Sequence, residues 1–143
     1  MKYKETCECC NHTKQSFSHR LNKPILNGLK QLVNFYKEEK RGCNINQDIT
    51  LTHNQKCNLP KLQHFGLIVR LNDGWYPTQR GYKFVHGMAQ SPLRVITFDG
   101  IVPPTSHPAW KGVKVEYVDI WEVDEAAYLQ REDYIHQDNL FSL

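Results

Sequence analysis

Leu21, Ile25, Leu29, Leu32 and Tyr36 recur every three or four residues, with Leu26 and Val33 beside them. That period puts one apolar stripe on a helix, predicted over residues 22–41. Asn22 can cap its start, Pro24 suits its first turn, and Lys40 and Arg41 close it ahead of Gly42. Residues 43–57 are rich in Asn, Gln and Thr, and Ile45, Ile49 and Leu51 are their main apolar anchors. A short extended piece and a weak helix over 47–56 are expected there. Asn58 is then a cap candidate for a further helix that has Pro60 in its first turn, carries Leu59, Leu62 and Phe65, and stops at Gly66.

Beyond Gly66 the pattern changes. Leu67-Ile68-Val69-Arg70-Leu71 reads as a strand, Asn72-Asp73-Gly74 as a hairpin turn, and Trp75-Tyr76-Pro77 as the returning strand. Thr78 can cap another helix through Tyr82, Phe84 and Val85, ended by Gly87. The order helix, helix, helix, hairpin, helix is that of a winged helix-turn-helix, expected over residues 20–90. After residue 90, Leu93–Phe98 reads as a strand, Asp99-Gly100 as a turn, and Pro103, Pro104 and Pro108 as a stiff loop. Val113, Val115 and Tyr117 alternate with polar residues and predict a second strand to about Trp121. A short helix is expected from Asp124, with loose final residues. The fold class is therefore α+β: a winged helix flanked by a Cys-rich segment (1–19) and a small acidic β-element (91–143).

Charge divides the chain along the same line. Residues 1–90 carry fourteen Lys/Arg against six Asp/Glu, and residues 91–143 carry four against nine. A basic first part and an acidic last part suggest different partners, double-stranded DNA for the first, or an acidic face that shields or mimics something, although both also suit plain solvated surfaces. No apolar run is long enough to span a membrane, and no apolar stretch follows Met1–Glu5, so the cytoplasm is the expected location. At 143 residues the chain can bury a core without disulfides, and five cysteines, an odd number, argue against a disulfide framework.

The chemistry then rests on two groups of residues. Cys7 and Cys10 form a C-x-x-C pair that can bite one side of a tetrahedral Zn2+. His53 and Cys57, four apart, share one helix face and can close the site, giving a candidate set of Cys7, Cys10, His53 and Cys57. His12, His19 and Cys43 are the alternative ligands, and ordinary thiols are the competing reading. A redox role lacks its βαβ context. For nucleic acid, Asn58, Lys61, Gln63 and His64 occupy polar positions of the recognition-helix candidate. Arg70 and Asn72 lie near the wing tip, and Arg80 and Lys83 on the next helix. Amides read adenine edges, and cations read guanine or phosphate. No G-x-S-x-G, P-loop or H-E-x-x-H signature occurs, so no enzyme is expected.

The run Leu59-Pro60-Lys61-Leu62-Gln63-His64-Phe65-Gly66-Leu67-Ile68 resembles the third helix and first wing strand of winged-helix proteins, including MarR-like regulators. Trp75-Tyr76-Pro77-Thr78-Gln79-Arg80-Gly81 resembles their next element, with proline where an apolar residue is usual. Cys7-Glu8-Cys9-Cys10, followed by Arg20-Leu21 and a long helix, and then Trp75, Thr78, Gly81 and Phe84, is similar to a group of small phage and prophage proteins. The resemblance covers roughly residues 5–90. It implies a winged-helix fold and a mobile-element origin, with a DNA-binding regulator in the host cytoplasm as the leading expectation. The alternative is a module that occupies a host protein through its acidic C-terminal surface.

Overall fold

The computed structural model describes residues 3–10 and 12–130. Its longest element is helix α1 (Lys23–Glu39), close to the span that the apolar stripe predicts. Asn22 caps it, its side-chain oxygen accepting from the Ile25 N–H at 3.0 Å. Lys40 ends it in the left-handed conformation and donates its N–H to the Tyr36 carbonyl. Ile25, Leu26, Leu29, Leu32, Val33 and Tyr36 are all buried. Each such side chain stabilises the fold by roughly 1.5–3 kcal/mol.

The next segment departs from expectation. The helix expected over 47–56 forms only from His53 onward. Residues 45–48 make a turn held by the Asp48 carboxylate, which accepts from the Asn44 N–H at 2.7 Å and from Arg41 at 3.2 Å. Helix α2 (His53–Asn58) begins behind Thr52 rather than at Asn58. Thr52 and Gln55 form a reciprocal capping box, at 3.2 and 2.9 Å, and Asn58 makes no cap bond. Two orphan donors satisfied at Thr52 outcompete one at Asn58. The chain runs on from α2 into a 3₁₀ segment, Leu59–Phe65, which buries Leu59, Leu62 and Phe65 beneath α1 and stops at Gly66 with φ 75°.

Strands β3 (Ile68–Leu71) and β4 (Gly74–Pro77) pair antiparallel as expected. Leu71 pairs with Gly74, so Asn72 and Asp73 make the turn and Gly74 opens the return strand. Cys43 adds a third rung on the other side, exchanging both backbone bonds with Trp75 at 2.9 and 3.0 Å. A Cβ on Gly74 would lie 2.7 Å from the Cys43 carbonyl oxygen, which is why this edge needs glycine. Helix α3 (Gln79–Val85) follows, capped by Thr78 and buried through Tyr82, Phe84 and Val85.

The remaining elements join the two ends of the chain. Strands β1 (Lys4–Thr6) and β2 (Thr13–Arg20) form a hairpin. After the short β5 (Ser91–Pro92) comes β6 (Arg94–Phe98), which pairs with β2 along Ser16–Arg20. The cysteine segment and the C-terminal part thus share one three-stranded sheet, ordered β1-β2-β6. The strand expected over 113–121 shrinks to β7 (Tyr117–Val118), paired with Ser91 and Pro92. Its alternation has no second sheet to face, and Val115 and Tyr117 are exposed. Ile120 instead enters the core from a single turn, α4 (Ile120–Val123). Asp124 caps a 3₁₀ turn over Glu125–Ala127, and the loose end expected beyond it lies outside the described residues. The architecture is a mixed α+β fold with small sheets. Among the described residues, no helix is long and apolar enough to cross a membrane.

Candidate nucleic-acid interface and thiol cluster

A groove of about 670 Å³ runs between the 3₁₀ segment, the β3–β4 hairpin and the 43–46 turn. Three helical or loop amides, Asn44, Asn46 and Gln63, face it together with Arg70 and Asn72 from the hairpin. Local bonding fixes this lining. The Asn44 side-chain oxygen accepts from the Asn46 N–H at 2.9 Å, and Asp48 holds the Asn44 N–H. The Arg70 guanidinium stands 5.9 Å from the centre of the Trp75 ring. The hairpin tip is tied back through Asp73, whose carboxylate accepts from the Tyr76 hydroxyl at 2.6 Å and the Gly42 N–H at 3.1 Å. Those two bonds, the hydroxyl first, hold Asp73 below the ordinary carboxylate range.

Of the residues singled out for nucleic acid, Gln63, Arg70 and Asn72 meet in this groove. Lys61 and Arg80 are exposed on their helices and Lys83 is half-buried. Asn58 lines a separate cleft beside the start of α1. His64 turns toward β2 and stacks on His19, ring centroids 5.4 Å apart. His19 is bonded to the Thr97 hydroxyl at 2.9 Å. Burial lowers both imidazole pKa values, and for His19 the nearby His64 and Lys61 charges add to the effect. Asn44 and Asn46 were legible only as part of an amide-rich stretch. It was the 45–48 turn, which the helix expected there concealed, that brought them to the groove.

The thiols lie elsewhere. Cys7, Cys9 and Cys10 occupy the tip of the β1–β2 hairpin, all exposed, with their sulfurs within 4.8 Å of one another. The Cys7 and Cys9 sulfurs are 3.0 Å apart, and the Cys7 N–H donates to the His12 carbonyl at 2.9 Å. The Cys9 thiol, helped by the Cys10 and Cys9 N–H groups, lowers the Cys7 pKa to about 6. This cluster can hold a metal ion. The four-residue spacing does bring His53 and Cys57 together, at 3.6 Å between ring nitrogen and sulfur. Among the described residues, however, Cys7, Cys9 and Cys10 are the one group of three ligands drawn this close, so Cys7, Cys10, His53 and Cys57 do not assemble. The separation of the two sequence segments, one on a hairpin tip and one on α2, is the reason. Cys43 is buried beside the hairpin, and burial pushes its thiol up to about 12.

No family model, curated protein or solved structure matches the chain.

Proposed function

We propose that this chain is a non-enzymatic duplex-DNA-binding protein that uses the helix-plus-hairpin half as a winged helix, in keeping with its resemblance to MarR-like winged-helix proteins and to small phage and prophage proteins. The observation that carries the reading is the groove where Gln63, Asn44, Asn46 and Asn72 converge with Arg70. Side-chain amides and guanidinium are the groups that pair bidentately with adenine and guanine edges. In this reading the 3₁₀ segment enters the major groove, the Asn72–Asp73 turn rides the backbone, and exposed Lys61 and Arg80 neutralise phosphates. The thiol turn reads as a zinc knuckle that stiffens the neighbouring sheet.

The test is a binding titration with duplex DNA at two salt concentrations. Lys61→Glu should weaken binding more than Lys111→Glu, because Lys111 lies on the far sheet-side cleft. Arg70→Ala should reduce affinity and relax sequence preference, costing roughly 1–3 kcal/mol at one base pair. Equal, salt-insensitive behaviour of wild type and all three variants would refute the DNA reading. A second reading has its own observation: Val115, Tyr117 and Trp121 are exposed among Glu116 and Glu122. Exposed aromatics on an acidic face suit a protein partner, and a host protein would then take precedence over DNA.

A further inference from the structure

The geometry points to an open three-thiolate metal site at the β1–β2 tip, in which Cys7, Cys9 and Cys10 hold one thiophilic ion and the fourth position is left to an exchangeable ligand. This deepens the zinc-knuckle reading, on which it rests, by naming a different ligand set and a different coordination.

Three observations support it. The first is reach. With metal–sulfur bonds of about 2.3 Å, sulfurs stand about 3.8 Å apart in a tetrahedral site and about 4.0 Å apart in a trigonal one. All three sulfurs already lie within 4.8 Å of one another. Cys7 and Cys9, at 3.0 Å, have to open by about 0.8 Å, which exposed side chains can do by small rotations. The second is origin. All three ligands come from one short turn whose base is already closed by the Cys7–His12 backbone bond and by the Thr6 and Thr13 hydroxyls at 3.2 Å. The backbone that must be ordered is thus partly ordered before the ion arrives. The third is the missing corner. Among the described residues no His, Asp, Glu or further Cys joins the group. Structural zinc sites are closed by four protein ligands, whereas three ligands and an open position belong to sites that exchange a ligand.

Binding is a proton exchange: Zn2+ displaces one proton from each thiol that is still protonated, three in all from the fully protonated turn. It forms three metal–sulfur bonds and keeps one water. No electron moves. The exchangeable water can give way to an exogenous thiol, an imidazole or a donor atom of another macromolecule, since any of these completes the tetrahedron.

The test uses the full chain, reduced and stripped of metal. Zinc is titrated in competition with a chromophoric chelator, and cobalt is used as a spectroscopic stand-in. One zinc per chain is expected. Cys9→Ser should weaken binding by more than the roughly 10–100-fold that loss of an outer-shell partner costs. Cys57→Ser and His53→Ala should leave affinity within about twofold, since neither residue touches the ion. Added imidazole should shift the cobalt visible bands. The three positions are exposed, so circular dichroism of the serine variant should match wild type. No zinc binding by wild type would sink both the knuckle and this site. Zinc binding that survives Cys9→Ser, or that Cys57→Ser weakens equally, would sink the three-thiolate set alone. Cobalt bands indifferent to imidazole would overturn the open position. In the protein as isolated, before reduction, a mass two hydrogens short with two of the three thiols resisting alkylation would mean the turn holds a disulfide instead.

Discussion

Among the described residues two β-hairpins form, β1–β2 and β3–β4, and they are anchored in opposite ways. The β3–β4 tip is a two-residue turn tied to the scaffold through Asp73, which binds Gly42 and Tyr76, and through the Cys43 rung on Trp75. The β1–β2 tip is a longer connection from Thr6 to Thr13 that carries three free thiols, with Cys7 and Cys9 hydrogen-bonded to each other. One hairpin is positioned by a carboxylate and a backbone rung, contacts made on folding. The other carries, on its own turn, donors suited to an ion. What Asp73 does for the first, a bound metal would do for the second. Under the proposed function the hairpin presents Arg70 and Asn72 at a fixed height, which calls for the first kind of anchorage.

The largest effect should come from breaking the scaffold under the first hairpin. A Cβ on Gly81 would sit 2.0 Å from the Leu67 carbonyl oxygen, and backbone cannot yield as a side-chain end can. Gly81→Ala should cost about 3 kcal/mol or more, read from urea unfolding. Glu8→Ala, on the exposed thiol turn, should stay within about 0.5 kcal/mol of wild type without metal. Comparable losses at both positions would mean that the two hairpins are not anchored differently.

A smaller effect separates the thiols. The Cys7 pKa is lowered to about 6 and the Cys43 thiol is pushed up to about 12. At neutral pH Cys7 is largely thiolate and Cys43 almost none of it. Intrinsic nucleophilicity falls with pKa and gives back part of that advantage. Metal-free protein should therefore alkylate at Cys7 roughly a hundredfold faster or more, followed by peptide mass spectrometry. Equal rates would show that the Cys43 rung opens readily and that the first hairpin is loosely held.

How far the sequence could be read follows the same division. The α1 stripe, the Asn22 and Thr78 caps, the Asn-Asp turn and the Cys7/Cys10 proximity are all local, set by spacing along a few residues, and the fold keeps them. The features that were misread depend on what stands opposite. Asn58 lost the cap because Thr52 had Gln55 to reciprocate. The 113–121 alternation found no facing sheet and survives as Tyr117 and Val118. The pairing of β2 with β6 joins residues almost eighty positions apart and has no local signature, so the sequence places residues 17–19 only in a Cys-rich segment and predicts no strand there. In the candidate site, Gln63, Arg70 and Asn72 are legible from helix and turn positions, while Asn44 and Asn46 depend on a turn closed by Asp48, which bonds the Asn44 N–H and Arg41 and which the amide-rich composition does not announce.

The smallest effect tests the seam between the two halves. His19 belongs to the thiol hairpin's long strand, and His64 to the 3₁₀ segment that leads into the other hairpin. Their rings stack at 5.4 Å. Burial lowers the pKa of both below the usual value of about 6.5, and for His19 the charges of His64 and Lys61 lower it further. As pH falls through that value the unfolded chain takes up protons before the folded one does, so stability rises with pH across this window and is lost on acidification. The carboxylates held low, Asp48 and Asp73, destabilise on protonation only at more acidic pH, so the two regimes separate. Thermal unfolding between pH 7 and pH 5 should therefore show a falling midpoint in wild type and a shallower fall in His64→Gln, which cannot titrate. Identical slopes in the two proteins would mean that the stacked pair contributes nothing to the acid sensitivity. Acid would then act on each hairpin separately rather than on the contact between them.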